Sequence, residues 1–396
     1  MRNKRNAAIA AVITLIVLVV GLWLIVRNVG DPNGLPLNTL APQSRQAWDI
    51  FGLVKPVFIV AGLVFLAVEA GVIWMVVRFK RHPDDVDGVD EPTQTHGNTP
   101  LEIGWTIVPA LLLAVLAVFN VQTLLRLDDT SKDAVQVTVI GQQWWWEYRY
   151  DTNQDGTPDI ITATQMVIPV GRDVNVKIQS NDVIHSFWIP ALNGKKDAVP
   201  GRTHELVFTA EKPGIYQGQC TEYCGLSHGV MRMQVKALPP AEYQRWIRRM
   251  TTPPKEPTTA DARAGQEIFV GQCARCHQIN GLRPDSKTPY AYDDVPNPDY
   301  GKSVNTSLAS GNAPNLTHLM MRQTFAGGLL NLYLDKGSDE VSAVPTGIPN
   351  TNNLKDWLRD PLAIKPMDPD NNQGMPNLQL SEQQIDQLVA YLITLK

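Results

Sequence analysis

Three predominantly apolar runs, residues 7–26, 54–77 and 103–125, are each long enough to cross a bilayer, and none follows residue 127. The chain must therefore fold in two regimes, an anchored N-terminal part and a globular remainder. Basic residues set the orientation. Arg2, Lys4 and Arg5 precede the first run, and Arg78, Lys80 and Arg81 follow the second, which predicts a cytoplasmic location for both. The loop 80–102 then lies inside and the third run exits, so everything after residue 127 is expected on the outer face. The first run fits a removable signal peptide or a signal anchor over residues 1–30. Residues 50–127 form a two-helix transmembrane hairpin under either reading.

The remainder changes pattern twice. Val135, Val137 and Val139 alternate, as do Val174, Val176 and Ile178, and then Met231, Met233 and Val235, which predicts half-buried strands. Short strands punctuated by Gly, Pro and Asn predict a Greek-key β-sandwich over 128–238. Pro239, Pro240, Pro253, Pro254 and Pro257 mark residues 239–260 as a semi-rigid linker around a helix-like segment, AEYQRWIRRM. The final domain, 261–396, closes with SEQQIDQLVAYLITLK. There Ser381 and Gln384 form a capping box ahead of an apolar face of Ile385, Leu388, Val389, Leu392 and Ile393. Residues 283–313 show neither period and read as an insertion packed over this domain. The net charge of −4, with no basic patch of interleaved aromatics, argues against a nucleic-acid partner.

All four cysteines fall in two motifs, leaving none for a structural disulfide. Cys273, Cys276 and His277 form CARCH, the attachment signature of a c-type haem, with the histidine as proximal iron ligand. A redox pair or half a zinc site would need a βαβ pattern or a second cysteine pair nearby, and neither is present. Met375 in QGMPNL is the candidate for the opposite axial ligand, with Met367 as its rival, because a thioether there favours reduced iron. Cys220, Cys224, His228 and Met231 are spaced CxxxCxxxHxxM, and His185 supplies a second imidazole from NDVIHSFWIP. This soft donor set selects copper. Zinc would use Cys2His2 and leave the methionine idle. Two coppers sharing both thiolates would use every donor.

The segments GQQWWWEYRY, IHSFWIP, KKDAVPGR and GQCTEYCGLSHGVM, in this order, resemble subunit II of haem-copper cytochrome c oxidases. The C-terminal CARCH domain resembles the fused cytochrome c domain of caa-type members. The resemblance implies a membrane-anchored multidomain chain with N-terminal transmembrane helices, a cupredoxin-like sandwich and an all-α cytochrome c domain. It implies that His185, Cys220, Cys224, His228 and Met231 bind a dinuclear CuA centre. It further implies that Glu222 offers its backbone carbonyl to copper and its carboxylate to a magnesium or manganese ion at the border with subunit I. Trp144, first of the tryptophan triplet 144–146 that ends a strand, is implied as the point where electrons reach CuA. Gln142 stands where many members have histidine, so that histidine's role is not carried over. Glu102, in PLEIGWTIVPA, is implied as the mouth of a proton channel, although a solvated interfacial acid accounts for it as well.

The function so implied is electron input to a terminal respiratory oxidase of the bacterial plasma membrane, with both metal domains on the periplasmic face. Electrons would come from cytochrome c or a quinol:cytochrome c reductase through the fused haem. Oxygen reduction, coupled to proton translocation, would occur in subunit I, with subunit III as a further partner. A nitric oxide reductase could use the same input architecture. A membrane copper chaperone would need a thioredoxin-like βαβ order, and a quinol oxidase subunit would lack the copper ligands. Two features stand apart. Glu69 inside the second run is expected to meet another subunit. Asp151, Asn153, Asp155, Gly156 and Asp159 match the first half of a calcium loop, but Thr162 holds its twelfth position, and a hairpin turn at Asp155-Gly156 is the simpler reading.

Overall fold

The computed structural model describes residues 20, 37–81, 86, 96–156, 158–252, 254–279, 313–335, 341–371 and 373–396. The first apolar run apart from Val20, and the 283–313 segment apart from its last residue, lie outside the described residues. The chain divides into two compact units, residues 48–129 and the rest.

The smaller unit is the helical hairpin. Helices α1 (Arg45–Arg78) and α2 (Thr99–Leu127) cover the second and third apolar runs and extend into polar flanks. Among the described residues these two are long and apolar enough to cross a membrane. Their large apolar side chains, Phe58, Leu63, Trp74 and Leu111 among them, are exposed, as a lipid-facing surface requires. Asn98 caps α2 by accepting from the Leu101 amide, and Glu102 accepts from the Asn98 amide at 3.1 Å. Two otherwise orphaned amides are thereby satisfied.

In the larger unit, residues 135–238 form the sandwich. One sheet has the order β3–β2–β1–β5–β8, built from Ile160–Ala163, Trp145–Tyr150, Val135–Gln142, Val174–Ser180 and His204–Phe208. The other has the order β4–β10–β9, from Gln165–Pro169, Arg232–Leu238 and Gly214–Gln219. A separate pair joins β6 (His185–Phe187) to β7 (Lys196–Ala198). β1 runs antiparallel to β2 and parallel to β5, and β10 is parallel to β4. Val139, Trp146, Val176 and Ile178 of the first sheet share one buried cluster with Met166, Met233 and Val235 of the second.

Residues 240–250, expected within a linker, form helix α3 (Pro240–Met250), and its Tyr243, Trp246 and Met250 belong to the sandwich core. The reason is a stripe at spacings of three and four. Trp246 stacks on Tyr243 and meets Tyr150 edge-on. Among the described residues, the irregular chain between the domains is 251–252 and 254–259.

The C-terminal domain packs α4 (Ala260–Ile268) against α7 (Glu382–Leu392). They cross at Gly265, where a Cβ would lie 1.9 Å from the Gln387 carbonyl oxygen, so only glycine permits this approach. The capping box at Ser381 and Gln384 is formed, and Ile385, Leu388 and Val389 are buried. Helices α5 (Thr351–Arg359) and α6 (Pro361–Ile364) and a two-residue ladder, β11 (Thr324–Phe325) with β12 (Leu330–Asn331), complete it. The ladder is a small addition to an otherwise helical domain.

Candidate metal and haem sites

β9 and β10 hold the two ends of the loop that carries both Cys220 and Cys224, and the Cys220 amide donates to the Met231 carbonyl at 3.0 Å, closing its base. Cys224 Sγ lies 3.9 Å from Cys220 Sγ, 3.6 Å from His228 Nδ1 and 3.7 Å from Met231 Sδ. His185, at the start of β6, places a ring nitrogen within 4.8 Å of both sulfurs. The Glu222 carbonyl accepts from Cys220 Sγ at 3.4 Å. The five predicted side chains and this carbonyl thus converge.

The fit to a metal rests on the donors themselves. His185 Nε2 donates to Asp182 Oδ1 at 2.7 Å, which leaves Nδ1 with its lone pair, and that atom is buried with no hydrogen-bond partner. A free imidazole lone pair facing two thiols and a thioether is the arrangement a soft metal requires. The two thiols are coupled. The hydrogen bond between them pulls Cys220 down and pushes Cys224 up, and burial adds to the rise of Cys224. One thiolate is therefore available to a soft metal, and bound metal would displace the second proton.

The haem motif follows α4 through a wider, π-helical turn, Phe269–Cys273. Cys273, Cys276 and His277 line a cavity of about 300 Å³ whose other walls include Phe269, Leu316, Trp357, Leu388, Met367 and Met375. His277 Nδ1 donates to the Pro314 carbonyl at 2.8 Å, so Nε2 carries the lone pair. Burial holds this imidazole below its usual range, keeping it neutral as a ligand must be. An apolar cavity with two thiols, an imidazole and thioethers suits a covalent haem. Met367 packs against the sandwich core and its sulfur accepts from the Met375 amide at 3.3 Å, whereas Met375 packs with the C-terminal domain's own core.

The two sites share a wall. Gln143, Trp144 and Trp145 of the sandwich also line the haem cavity. Trp144 does not end a strand: it occupies the turn between β1 and β2, while Trp145 and Trp146 open β2. Its indole Nε1 donates to the Cys224 carbonyl at 2.8 Å, and Gln143 Nε2 donates to the same oxygen at 2.7 Å. Gln142 is buried, its amide 3.5 Å from Glu147.

Sequence reasoning missed two residues that set this geometry. Asp182 orients His185 and accepts from the Gln143 amide at 2.7 Å, joining the tryptophan turn to a metal ligand. Its signal was a carboxylate three residues before the histidine. Lys365, almost fully buried, donates to the Trp144 carbonyl at 2.5 Å, and no local pattern marks it.

Other candidates fare differently. Glu102 has a helix-capping hydrogen bond that accounts for its position, and Glu69 lies exposed on α1. β2 and β3 pair antiparallel, and in residues 151–156, which follow β2, Asp151 accepts from the Asp155 and Gly156 amides. Thr162 is buried in β3, its hydroxyl accepting from Arg322 at 3.1 Å, so the calcium loop lacks its twelfth ligand.

Sequence models of known families match the chain in three places. The transmembrane domain of cytochrome c oxidase subunit II covers residues 35–123, its periplasmic domain covers 156–238, and cytochrome c covers 262–396. A cytochrome c oxidase subunit 2 of Alkalihalophilus pseudofirmus is 33% identical over 377 residues, spanning 93% of this chain and 92% of that relative. One from Bacillus sp. strain PS3 is 33% identical over 325 residues, 77% of each chain. A crystal structure of the periplasmic domain of subunit II from Bradyrhizobium japonicum is 30% identical, with a TM-score of 0.29, covering 31% of this chain and 96% of that one. The chain belongs to the cytochrome c oxidase subunit II family, in the form that carries a cytochrome c domain after its copper domain.

Proposed function

We propose that this chain is the electron-input subunit of a terminal respiratory oxidase, receiving electrons at its own haem and delivering them through its copper site to a partner subunit that reduces oxygen. The observation that carries this is the shared wall: Trp144 lines the haem cavity while its indole holds the carbonyl of a copper-ligating cysteine. When bound, the haem and the copper each take up and release an electron without making or breaking bonds to substrate.

The chain's residues do the rest. Cys220, Cys224, His185, His228, Met231 and the Glu222 carbonyl would hold a dinuclear copper centre, which would supply one-electron transfer. Asp182 fixes the His185 tautomer. Cys273 and Cys276 would hold the haem covalently, and His277 and Met375 would bind its iron. Glu222 is assigned a carboxylate role toward magnesium or manganese at the border with subunit I, and Glu102 a proton-channel role. α1 and α2 anchor the chain as a multi-pass protein of the bacterial plasma membrane. Subunits I and III are its partners, with cytochrome c or a quinol:cytochrome c reductase as donor. Nothing in the fold favours a chaperone, whose βαβ order is replaced here by the sandwich.

Purified with its complex, the chain should contain two coppers and one covalent haem, and the complex should consume oxygen. A single copper would refute the dinuclear centre. Consumption of nitric oxide in place of oxygen would shift the assignment to a nitric oxide reductase.

The axial ligand is tested separately. Met375→Ala should lower the haem potential and open the iron to added small ligands, because a thioether raises the potential and fills the sixth position. Met367→Ala should leave both nearly unchanged. The reverse pattern in a redox titration would make Met367 the ligand.

A further inference from the structure

The boundary between the copper and haem domains is built as a specific interface. Lys365, 3% exposed, reaches from the haem domain to the Trp144 carbonyl at 2.5 Å and the Ala326 carbonyl at 3.4 Å. Ser227, inside the copper loop, donates to the Pro366 carbonyl. The Arg232 amide at the start of β10 donates to the Gly327 carbonyl at 3.0 Å. Gly327 holds φ +72, and a Cβ there would meet Lys365 Nζ at 2.5 Å and the Trp144 carbonyl at 3.1 Å. Arg322 donates to Thr162 on the sheet, and Met321 and Ala343 are buried in the sandwich's own core.

We infer that Lys365 is a positioning residue: it clamps the haem domain onto the Gln143–Trp144 turn, so that the copper domain forms one wall of the haem cavity and Trp144 is closed to soluble donors. A tether alone gives an effective concentration of about millimolar. The buried Lys365 amine, held by the Ala326 carbonyl of its own domain, donates across the boundary to the Trp144 carbonyl and converts that loose proximity into one fixed arrangement, because leaving that carbonyl unpaired in the interior is costly. Trp144 is 2% exposed, so an external donor meets the haem domain rather than this ring. The inference rests on the assignment of the haem and copper sites above, but the packing it describes can be measured without either metal.

The test is hydrogen exchange on the full chain within its complex, read at the Arg232 amide, with metal content determined in parallel. Lys365→Met should raise exchange there by about tenfold, and Thr162→Val by about fivefold, as expected for losing the buried Lys365 hydrogen bond and for removing the acceptor of Arg322. Strands β1 and β5 should exchange as before. In Lys365→Met, with copper and haem content intact, photoinitiated electron transfer from haem to copper should slow only in proportion to the closed population that is lost. Unchanged exchange in Lys365→Met would overturn the clamp. Should Lys365→Met fail to fold, Lys365→Gln, whose shorter side chain does not reach the Trp144 carbonyl, decides in its place: raised exchange supports the clamp and unchanged exchange refutes it. Absence of copper or haem from the unmutated chain would instead overturn the proposed function and leave the exchange result standing.

Discussion

Serine at position 224 is expected to empty the copper site while leaving the covalent haem in place. Cys224 is the hub of the donor set, within 4 Å of Cys220, His228 and Met231. A serine hydroxyl is harder, stays protonated at neutral pH and cannot bridge two soft metals. The loss of affinity should exceed the roughly hundredfold seen when a mere supporting residue is removed. The fold should persist, because the Cys224 backbone carbonyl that holds Gln143 and Trp144 is kept. Metal analysis and haem absorbance on the same sample check this. Copper retained at two per chain would mean that Cys224 is not a bridging ligand.

Trp144→Phe should separate stability from electron delivery. The phenyl ring fills much of the same buried space, and Gln143 still donates to the Cys224 carbonyl, so the stability cost should be only about 1–2 kcal/mol. The indole N–H that fixes the ring on that carbonyl is lost. Reduction of copper by the haem should then slow by between about tenfold and a hundredfold, the scale of effect that small misplacements produce at reacting centres. Transient absorption after photoreduction measures this at unchanged copper content. An unaltered rate would remove Trp144 from the path and shift attention to Trp145, the neighbouring cavity-lining ring.

What could be read beforehand depended on how local each pattern was. The alternation of Val135, Val137 and Val139 and the capping box at Ser381 are short-range signals, and both became the expected elements. CARCH and the copper loop compress their donors into a few residues, so chemistry alone named them. The helix-like segment AEYQRWIRRM was equally local and became α3, but the prolines hid that Tyr243, Trp246 and Met250 join the sandwich core. Those prolines bound α3 without interrupting it, since Pro240 sits at its first position, where no amide is required. The tryptophan triplet showed a strand but not its break. Whether Trp144 ends β1 or occupies a turn depends on the register of β1 against β2, in which Gln142 faces Trp145.

The sequence by itself determined two long apolar helices, the strand-rich and helical halves, and the side chains proposed as metal donors, because helix length, side-chain period and ligand softness are all properties of short segments. Only the tertiary structure decided how the two sites meet. Parallel pairing of β1 with β5, the Asp182 bridge between His185 and Gln143, and the reach of Lys365 to Trp144 all join residues whose proximity no local period encodes. The physical reason is that a buried carbonyl or imidazole takes whichever partner the packed chain brings to it, and that choice is made only when the two domains close on one another.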